Sequence, residues 1–471
     1  MRKFFAVLVV LATCVSMLAA CATPTAQVIR ETVVVKETSV VKETSVVKET
    51  SIVKETSVVE VEKQVEKVVE ITSTPEPAAA PVQLTIWVTG GDFDAGLMQS
   101  ATDLYTLLHP NVTFKIEPVS WSDAHTKFLA AAAAQSGPDM ITGGMSWGIE
   151  LGKNGGMIDL KTQYPDLVSQ LQAKTMPGIW GAIVPPSGEV FAPEWASTLM
   201  MAYYRTDIIK EKTGSDQLPK TWEEFTALLD QLQAAGMQTP LIINWGSQSW
   251  LGYQNWLYAA GGSFYSADCS AVTLNTPEAE TALNLFIDFY NKYNTPKAWD
   301  TVPFEKGDAA VMVDGNWNIP TYDLTKPELA GKWAAGSLPA GPSGKPSHFI
   351  GGQIIGIMSY TSREVQDVSA DFIGFLYSDE AMKAQATYAA AQKSVFIPPS
   401  DQYVDLMPIK AEYKDAIKAA LTAAWGPPNC KGWEEGNPSI DKAIQEILFG
   451  QGDVKTALEK MQAGLEDTLT K

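Results

Sequence analysis

The segment 304–317, Phe-Glu-Lys-Gly-Asp-Ala-Ala-Val-Met-Val-Asp-Gly-Asn-Trp, constrains the fold of this chain more than any other stretch. Its first five residues are typical of a short helix that turns at Gly307. Residues 309–313 form an unbroken apolar run, which predicts a strand buried on both faces. Residues 314–316 then predict a chain reversal that presents Trp317. Such a loop is either a ligand contact at a sheet edge or an ordinary turn beside a packed Trp.

The chain from residue 82 onward alternates predicted strands with predicted helices. Strands at 83–88, 113–119 and 138–141 are separated by helices at about 94–108 and 122–135. This β-α-β-α-β order favours a parallel sheet with crossover helices. The strands end at Gly, Asp or Trp residues, on the edge where open α/β sheets bind ligands. Further strands are predicted at 199–204, 240–244 and 347–358, and further helices at 249–260, 277–293, 365–377, 380–391, 409–424, 440–448 and 454–469.

The first 81 residues differ in composition from the rest of the chain. A basic start, an apolar run at 4–18 and Leu-Ala-Ala-Cys at 18–21 resemble a bacterial lipoprotein signal. That resemblance implies a signal peptide at 1–20 and a lipid on Cys21, with a plain secretory signal as the alternative. Residues 21–81 hold a repeated Val-Val-Lys-Glu-Thr-Ser hexad and a Pro-rich end, which predict a stalk. No other apolar run reaches 18 residues, so no transmembrane helix is predicted in the mature chain.

The charge balance and the scarcity of several residue types disfavour some classes of partner. The formal net charge of −19 disfavours nucleic acid, because phosphate binding needs a basic surface. Only four arginines occur, so the composition favours a neutral ligand over a phosphate or a carboxylate. The three histidines show no metal-ligand spacing, and no nucleotide-binding Gly motif is present. Neither a metal nor a cofactor is therefore predicted.

Two cysteines, Cys269 and Cys430, remain beyond the leader and the lipid position. In an oxidising compartment they could form one disulfide, which is the favoured interpretation. Two buried free thiols are the alternative.

Several motifs, in order along the chain, resemble the extracytoplasmic solute-binding proteins of bacterial ABC importers, in the carbohydrate-type class that includes maltose-binding protein. Leu-Thr-Ile-Trp at 84–87 and Pro-Asp-Met at 138–140 are similar to strands of that family. Tyr-Tyr-Arg-Thr-Asp at 203–207 and Leu-Pro-Lys-Thr-Trp-Glu-Glu-Phe at 218–225 resemble its Tyr-Tyr-Asn-Lys-Asp and Pro-Lys-Thr-Trp-Asp-Glu segments. The segment 304–317 is similar to its Phe-x-x-Gly-x-Ala-Ala-Met-x-x-x-Gly-x-Trp signature.

This resemblance covers nearly all of the mature chain and implies a fold, a location and partners. The implied fold has two α/β lobes joined by a hinge, with the ligand bound in the cleft between them. By analogy the first lobe holds 82–196 and 310–378, and the second holds 197–309 and 379–471. The resemblance also implies a monomer that is not an enzyme, lies outside the cytoplasm and delivers a neutral sugar to a membrane permease.

Sugars present polar edges and apolar faces, so a sugar site needs aromatic platforms beside acid and amide groups. Each candidate also has a purely structural interpretation: Asp92 as a helix cap, Trp121 as filler at the base of a helix. The paired glycines are candidates because only a residue without Cβ allows a close backbone approach. The candidate ligand-binding residues are Asp92, Trp121, Trp147, Glu194, Trp195, Trp245, Asp314, Asn316, Trp317, Gly351 and Gly352.

Two other functions remain as alternatives at this point. The same fold could bind a charged solute, either a glycerol phosphate ester or a polyamine, the latter through acids and Trp rings. A surface glycoside hydrolase would need two carboxylates on either side of one bond, which Asp92, Glu194 and Asp314 could supply only if they lay together.

Overall fold

This computed structural model describes residues 80–243, 249–298 and 300–469. Its strands form one mixed sheet, in which a single long strand lies between the two halves. The sheet order is β2-β1-β3-β8-β4-β6-β5, with β7 beside β4 and β9 beside β8. The strands are β1 (Val82–Thr89), β2 (Val112–Val119), β3 (Met140–Gly144), β4 (Glu194–Tyr204), β5 (Leu241–Ile243), β6 (Val311–Gly315), β7 (Ala334–Gly336), β8 (His348–Ile357) and β9 (Ala424–Trp425).

Helices lie between most of the strands along the chain and supply the crossovers. They are α1 (Asp92–Leu108), α2 (Trp121–Ala134), α3 (Met145–Lys153), α4 (Leu160–Gln163), α5 (Pro165–Lys174), α6 (Pro177–Ile183), α7 (Thr206–Thr213), α8 (Trp222–Ala234), α9 (Ser249–Ala260), α10 (Pro277–Asn291), α11 (Val302–Lys306), α12 (Asn318–Pro320), α13 (Arg363–Leu376), α14 (Asp379–Ala391), α15 (Ala411–Leu421), α16 (Trp433–Gly436), α17 (Pro438–Leu448) and α18 (Val454–Leu469). A π-helical turn (Thr321–Thr325) and two 3₁₀ turns (Pro327–Leu329 and Asp401–Leu406) complete the set. Among the described residues, no helix has both the length and the apolar character needed to cross a membrane.

The sheet divides into two halves that meet along β4. In the first half β1 runs parallel to β2 and β3, as the β-α-β-α-β pattern predicts, and β8 is antiparallel to β3. Residues 194–199 of β4 pair with β8, and residues 200–204 of β4 pair with β6 in the second half. β5 runs parallel to β6. A single strand therefore passes from one half into the other, with β8 beside it.

Each half has an apolar cluster, and a third cluster spans both halves, since it contains Ile141 of β3 and Met312 of β6. In the first half, Leu84 and Ile86 of β1 pack in one cluster with Phe372 of α13. In the second half, Phe225 and Leu229 of α8 lie one helical turn apart, face inward and join the cluster that contains Trp256.

The segment 304–317 contains the predicted helix end, strand and turn, but the strand runs over Val311–Gly315 and not 309–313, so Asp314 and Gly315 pair with β4 and the turn begins only at Asn316. Helix α11 ends at Gly307, whose φ of 88° lies in the left-handed region that glycine favours. The guanidinium of Arg205 donates to the carbonyl of Phe304 at 2.9 Å and pairs with the carboxylate of Asp207 at 2.7 Å. This arginine therefore fixes the end of α11 against the start of α7.

Two elements lie directly after the lobe boundaries predicted by analogy at residues 310 and 379. Strand β6 begins the segment assigned to the first lobe, but it pairs with β5 and with the second-half part of β4. Helix α14 begins the segment assigned to the second lobe, yet it packs on α1, where the Tyr388 ring lies 6.0 Å from that of Phe93. Apolar runs along the chain do not reveal which half a strand joins, because that depends on long-range pairing.

Cys269 and Cys430, which are 161 positions apart in the sequence, are joined by a disulfide. The bond ties the segment after β9 to the loop between α9 and α10. The predicted signal peptide, Cys21, nearly all of the stalk and Trp245 lie outside the described residues.

Candidate functional site

A chain of buried hydrogen bonds joins the ends of the first-half strands to the start of α1. The hydroxyl of Thr142 donates to Gln353 Oε1 at 2.6 Å and accepts from the N–H of Thr89 at 2.9 Å. Gln353 Nε2 in turn donates to Asp94 Oδ1 at 2.6 Å. Burial raises the pKa of the Asp94 carboxyl, and its hydrogen bonds only partly offset this. The acid at this edge is therefore Asp94, while the predicted Asp92 is exposed at the first position of α1.

Two tryptophans of the first half lie together beside the end of β3. Trp121 begins α2 and is 48% exposed, whereas Trp147 in α3 is 7% exposed. Their ring centroids are 5.6 Å apart in an edge-to-face arrangement, and the ring of His125 lies 5.0 Å from that of Trp147. Trp147 thus supports an aromatic surface whose accessible face is Trp121.

Glu194 and Trp195 lie at the link between the halves, and both are fully buried. Ser197 Oγ donates to Glu194 Oε1, while Glu194 Oε2 has no hydrogen-bond partner among the described residues. Burial raises the pKa of this carboxyl to about 8, so the side chain is largely protonated at neutral pH. Gly352 lies directly opposite: a Cβ there would sit 2.2 Å from Glu194 Oε1 and 2.5 Å from the carbonyl oxygen of Ala196.

Gly352→Ala is expected to destabilise the protein by about 1–3 kcal/mol, because the added methyl meets backbone atoms of β4 that cannot move without breaking strand pairs. Gly91→Ala is the control, since a Cβ at Gly91 meets nothing within 4 Å and its φ is −108°. Urea unfolding of both variants measures the difference. Equal midpoints for the two variants would contradict this close contact between β4 and β8.

The end of β6 and the turn that follows it are buried and internally bonded. Asp314 accepts from the N–H of Gly315 at 2.8 Å and from Asn318 Nδ2 at 2.9 Å. Asn316 exchanges hydrogen bonds with the backbone of Leu199, both at 2.9 Å, and so extends the pairing of β4. Trp317 is half-buried against the second-half core. Gly351 contributes its carbonyl, which accepts from Thr198 Oγ1 at 3.4 Å.

The structure adds Trp425, which the sequence did not single out because it follows a predicted helix. This residue is 55% exposed, and its ring lies 5.9 Å from that of Tyr258. The backbone beneath it is held by β8 and by Gln254, whose Nε2 donates to the carbonyls of Trp425 and Gly426 at 3.2 and 2.8 Å.

The start of α3 lies beside the segments that carry the two exposed tryptophans, Trp121 and Trp425. Trp147, in its first turn, touches Trp121. On the other side, a Cβ at Gly426 would lie 3.6 Å from the sulfur of Met145, so the segment of Trp425 passes beside the same turn. The segments that carry Trp121 and Trp425 therefore both lie beside the first turn of α3.

Two sheet halves joined by crossing strands, with aromatic rings and acids at the junction, define the two-lobe periplasmic-binding-protein fold of the maltose-binding type. Residues 89–383 match the family described as bacterial extracellular solute-binding protein, and the chain belongs to that family. This family and fold are those of ABC transport proteins that bind solutes outside the cytoplasm.

Three similar proteins illustrate the range of the family. The probable ABC transporter-binding protein of Deinococcus radiodurans is 24% identical over 64% of this chain and 74% of its own length. The sn-glycerol-3-phosphate-binding periplasmic protein of Salmonella typhimurium is 24% identical over 56% of each chain. The structure of maltose-bound T. maritima MalE3 superposes with a TM-score of 0.68 at 20% identity, over 82% of this chain and 99% of that one. At this identity the structural likeness establishes the fold.

Proposed function

We propose that this protein captures a neutral carbohydrate, an oligosaccharide, in the cleft between its two lobes and delivers it to a membrane permease. The observation that carries the proposal is the pair of exposed tryptophans, Trp121 and Trp425, that flank the first turn of α3. Exposed flat rings suit the apolar faces of linked sugars, and polar groups nearby suit their hydroxyl edges. The maltose named for one structural neighbour agrees with this class.

The proposed site keeps the residues predicted from the sequence and adds two. Asp94 supplies the acid that Asp92 was expected to supply, and Trp425 supplies a second platform. The buried residues of this site hold its shape and do not contact the ligand directly. The proposed set is Asp92, Asp94, Trp121, Trp147, Glu194, Trp195, Trp245, Asp314, Asn316, Trp317, Gly351, Gly352 and Trp425.

A charged solute, either a phosphate ester or a polyamine, is the second candidate, and the relative whose name states glycerol 3-phosphate favours the ester. The two arginines within the described residues argue against an anion. Arg205 is paired with Asp207, and Arg363 is paired with Asp367 at 2.9 Å, so each guanidinium already has a carboxylate partner and is not available to bind an anionic ligand. Raised salt weakens the binding of a charged solute and leaves that of a neutral sugar nearly unchanged.

Hydrolysis is disfavoured by the placement of the three carboxylates that could have served it. Glu194 and Asp314 are fully buried and Asp92 is exposed at a helix start, so they do not form a pair about one bond. Overnight incubation with oligosaccharides is expected to give no shorter products.

Thermal unfolding against a panel of mono- and oligosaccharides, glycerol 3-phosphate and spermidine tests the ligand class. A ligand at one hundred times its Kd stabilises the fold by about 2.7 kcal/mol, which is readily seen as a rise in Tm. The proposal predicts a rise with one class of oligosaccharide, retained in 0.5 M salt. A rise only with a charged compound, and lost in salt, would support the second candidate.

Attachment through a lipid on Cys21 completes the proposal, with the segment up to residue 81 as the spacer between membrane and binding domain. Metabolic labelling with a fatty acid tests it, with Cys21→Ser as the control. Labelling that persists in that variant would contradict the anchor.

A further inference from the structure

The short segment 424–430, which carries Trp425, is held in different ways at its two ends. Its first two residues form β9 beside β8, and Gln254 donates to the next carbonyls. Pro427 and Pro428 follow, and neither has an N–H group, so this stretch donates no hydrogen bond to the sheet. The position of the far end therefore depends on the contacts of the last two residues.

Asn429 binds the far end of this segment to α6. Its Nδ2 donates to the carbonyl of Gly181 at 2.8 Å and to that of Val184 at 2.7 Å, and so satisfies two carbonyls at the C-terminal end of the helix. The backbones also approach closely, because a Cβ at Gly178 would lie 2.7 Å from the carbonyl oxygen of Ala424. One asparagine side chain therefore joins the segment to a helix that packs against α3.

The disulfide holds the next residue of the same segment. Cys430 is buried and bonded to Cys269, in the loop between α9 and α10, and both side chains pack in the second-half apolar cluster. Cys269 Sγ also lies 3.8 Å from Asn429 Oδ1, which is a contact and not a hydrogen bond because a disulfide sulfur carries no hydrogen. Cys269 is half-buried between exposed neighbours, so a small thiol can reach the bond. The disulfide and the Asn429 amide therefore form one anchor.

We propose that the disulfide and Asn429 position the Trp425 platform, so that ligand affinity depends on the redox state of the two cysteines. With the bond intact the segment is already ordered before the ligand arrives, which strengthens binding. When a dithiol reduces the bond, the dithiol becomes a cyclic disulfide and the two cysteines take up two electrons and two protons. The end of the segment then leaves α6 more often and affinity falls, while β9 and Gln254 still hold its start. This inference rests on the proposed function for the ligand, but the anchor itself does not.

Fluorine NMR of the full chain labelled with fluorotryptophan tests the anchor without any ligand. The Trp425 resonance is assigned by its loss in Trp425→Phe. This resonance is expected to shift or broaden in the double variant Cys269→Ser/Cys430→Ser and in Asn429→Ala. The wild type treated with dithiothreitol should show the same change and should recover when the bond reforms in air. A Trp425 resonance that stays unchanged when the disulfide is lost overturns the proposal.

Gln233→Ala is the matched control for the loss of a side-chain amide. Gln233 is half-buried, as Asn429 is, and its Nε2 donates to the carbonyl of Lys292 at 2.8 Å, within the second half. Its removal takes away one amide-to-carbonyl contact that does not involve the segment 424–430. The Trp425 resonance should therefore be the same in Gln233→Ala as in the wild type.

Calorimetry then measures the effect on binding, using the oligosaccharide that gives the largest rise in Tm, at a temperature where every variant is folded. Affinity is expected to fall on the order of fivefold in the double-serine variant and in the reduced wild type, and to recover on reoxidation. Gln233→Ala should bind as the wild type does. Equal affinity of the oxidised and reduced chains overturns the redox dependence. If no sugar binds while loss of the disulfide still moves the Trp425 resonance, the anchor stands and the proposed ligand class fails.

Discussion

Trp425→Ala is expected to weaken sugar binding by about 2–4 kcal/mol, or roughly 30- to 1000-fold, while leaving the fold intact. The ring is 55% exposed, so its removal opens no cavity in the core. The backbone beneath it stays in place because β8 and Gln254 hold it independently of the side chain. The loss should therefore appear in affinity, measured by calorimetry, with an unchanged Tm in the absence of ligand.

Phe449→Ala is the matched control, because Phe449 is also exposed, at 65%, and lies against Lys297 on the second lobe. It should leave affinity unchanged. Trp317→Ala, at the position that the sequence favours, should cost at least about 1 kcal/mol. Full affinity in Trp425→Ala together with a large loss in Trp317→Ala would show that the sugar stacks on Trp317, in the turn after β6, and not on Trp425.

Glu194→Gln is expected to stabilise the protein by roughly 4 kcal/mol at pH 9 and to change little at pH 4. The carboxyl has a pKa of about 8 in the folded chain, against an ordinary value of 4.5 in the unfolded chain. Above pH 4.5 the unfolded state loses this proton while the folded state keeps it, so the wild type loses stability as pH rises toward 8. The amide never ionises, which removes that loss. Urea unfolding at several pH values measures it.

Glu189→Gln provides a control of opposite sign. The hydrogen bond from Lys153 lowers the pKa of Glu189 to about 2, so its ionised form contributes stability above pH 4.5 that is lost as pH falls toward 2. This variant should be less stable than the wild type at pH 7 and equal to it near pH 2. If Glu194→Gln shows the same pH profile as the wild type, the buried acid at the link is not protonated.

The sequence predicted most elements because apolar runs and caps are local signals. The helices at 249–260 and 454–469 lie where their patterns place them. Strand β9 was missed because two residues carry no periodicity; it exists through pairing with His348 and Phe349 of β8. The contacts of β6 and α14 likewise depend on partners far along the chain, which local patterns do not reveal.

For the site, the sequence indicated acids and rings at strand ends but not which of them face inward. Asp92 and Asp94 lie half a helical turn apart on α1. The rotation of this helix about its axis decides that Asp94, and not Asp92, reaches Gln353 and its hydrogen bonds. Glu194 was predicted at the link between the lobes, but its protonation follows from a burial that only the packed structure reveals.

Calorimetric titration of the chain from Val82 to Lys471 with the oligosaccharide panel tests whether the ligand is a neutral carbohydrate. We expect binding to one class of oligosaccharide with a Kd near 1 μM, about −8 kcal/mol, unchanged in 0.5 M salt. Absence of heat with every sugar, together with salt-sensitive binding of glycerol 3-phosphate or spermidine, would contradict the neutral-carbohydrate claim.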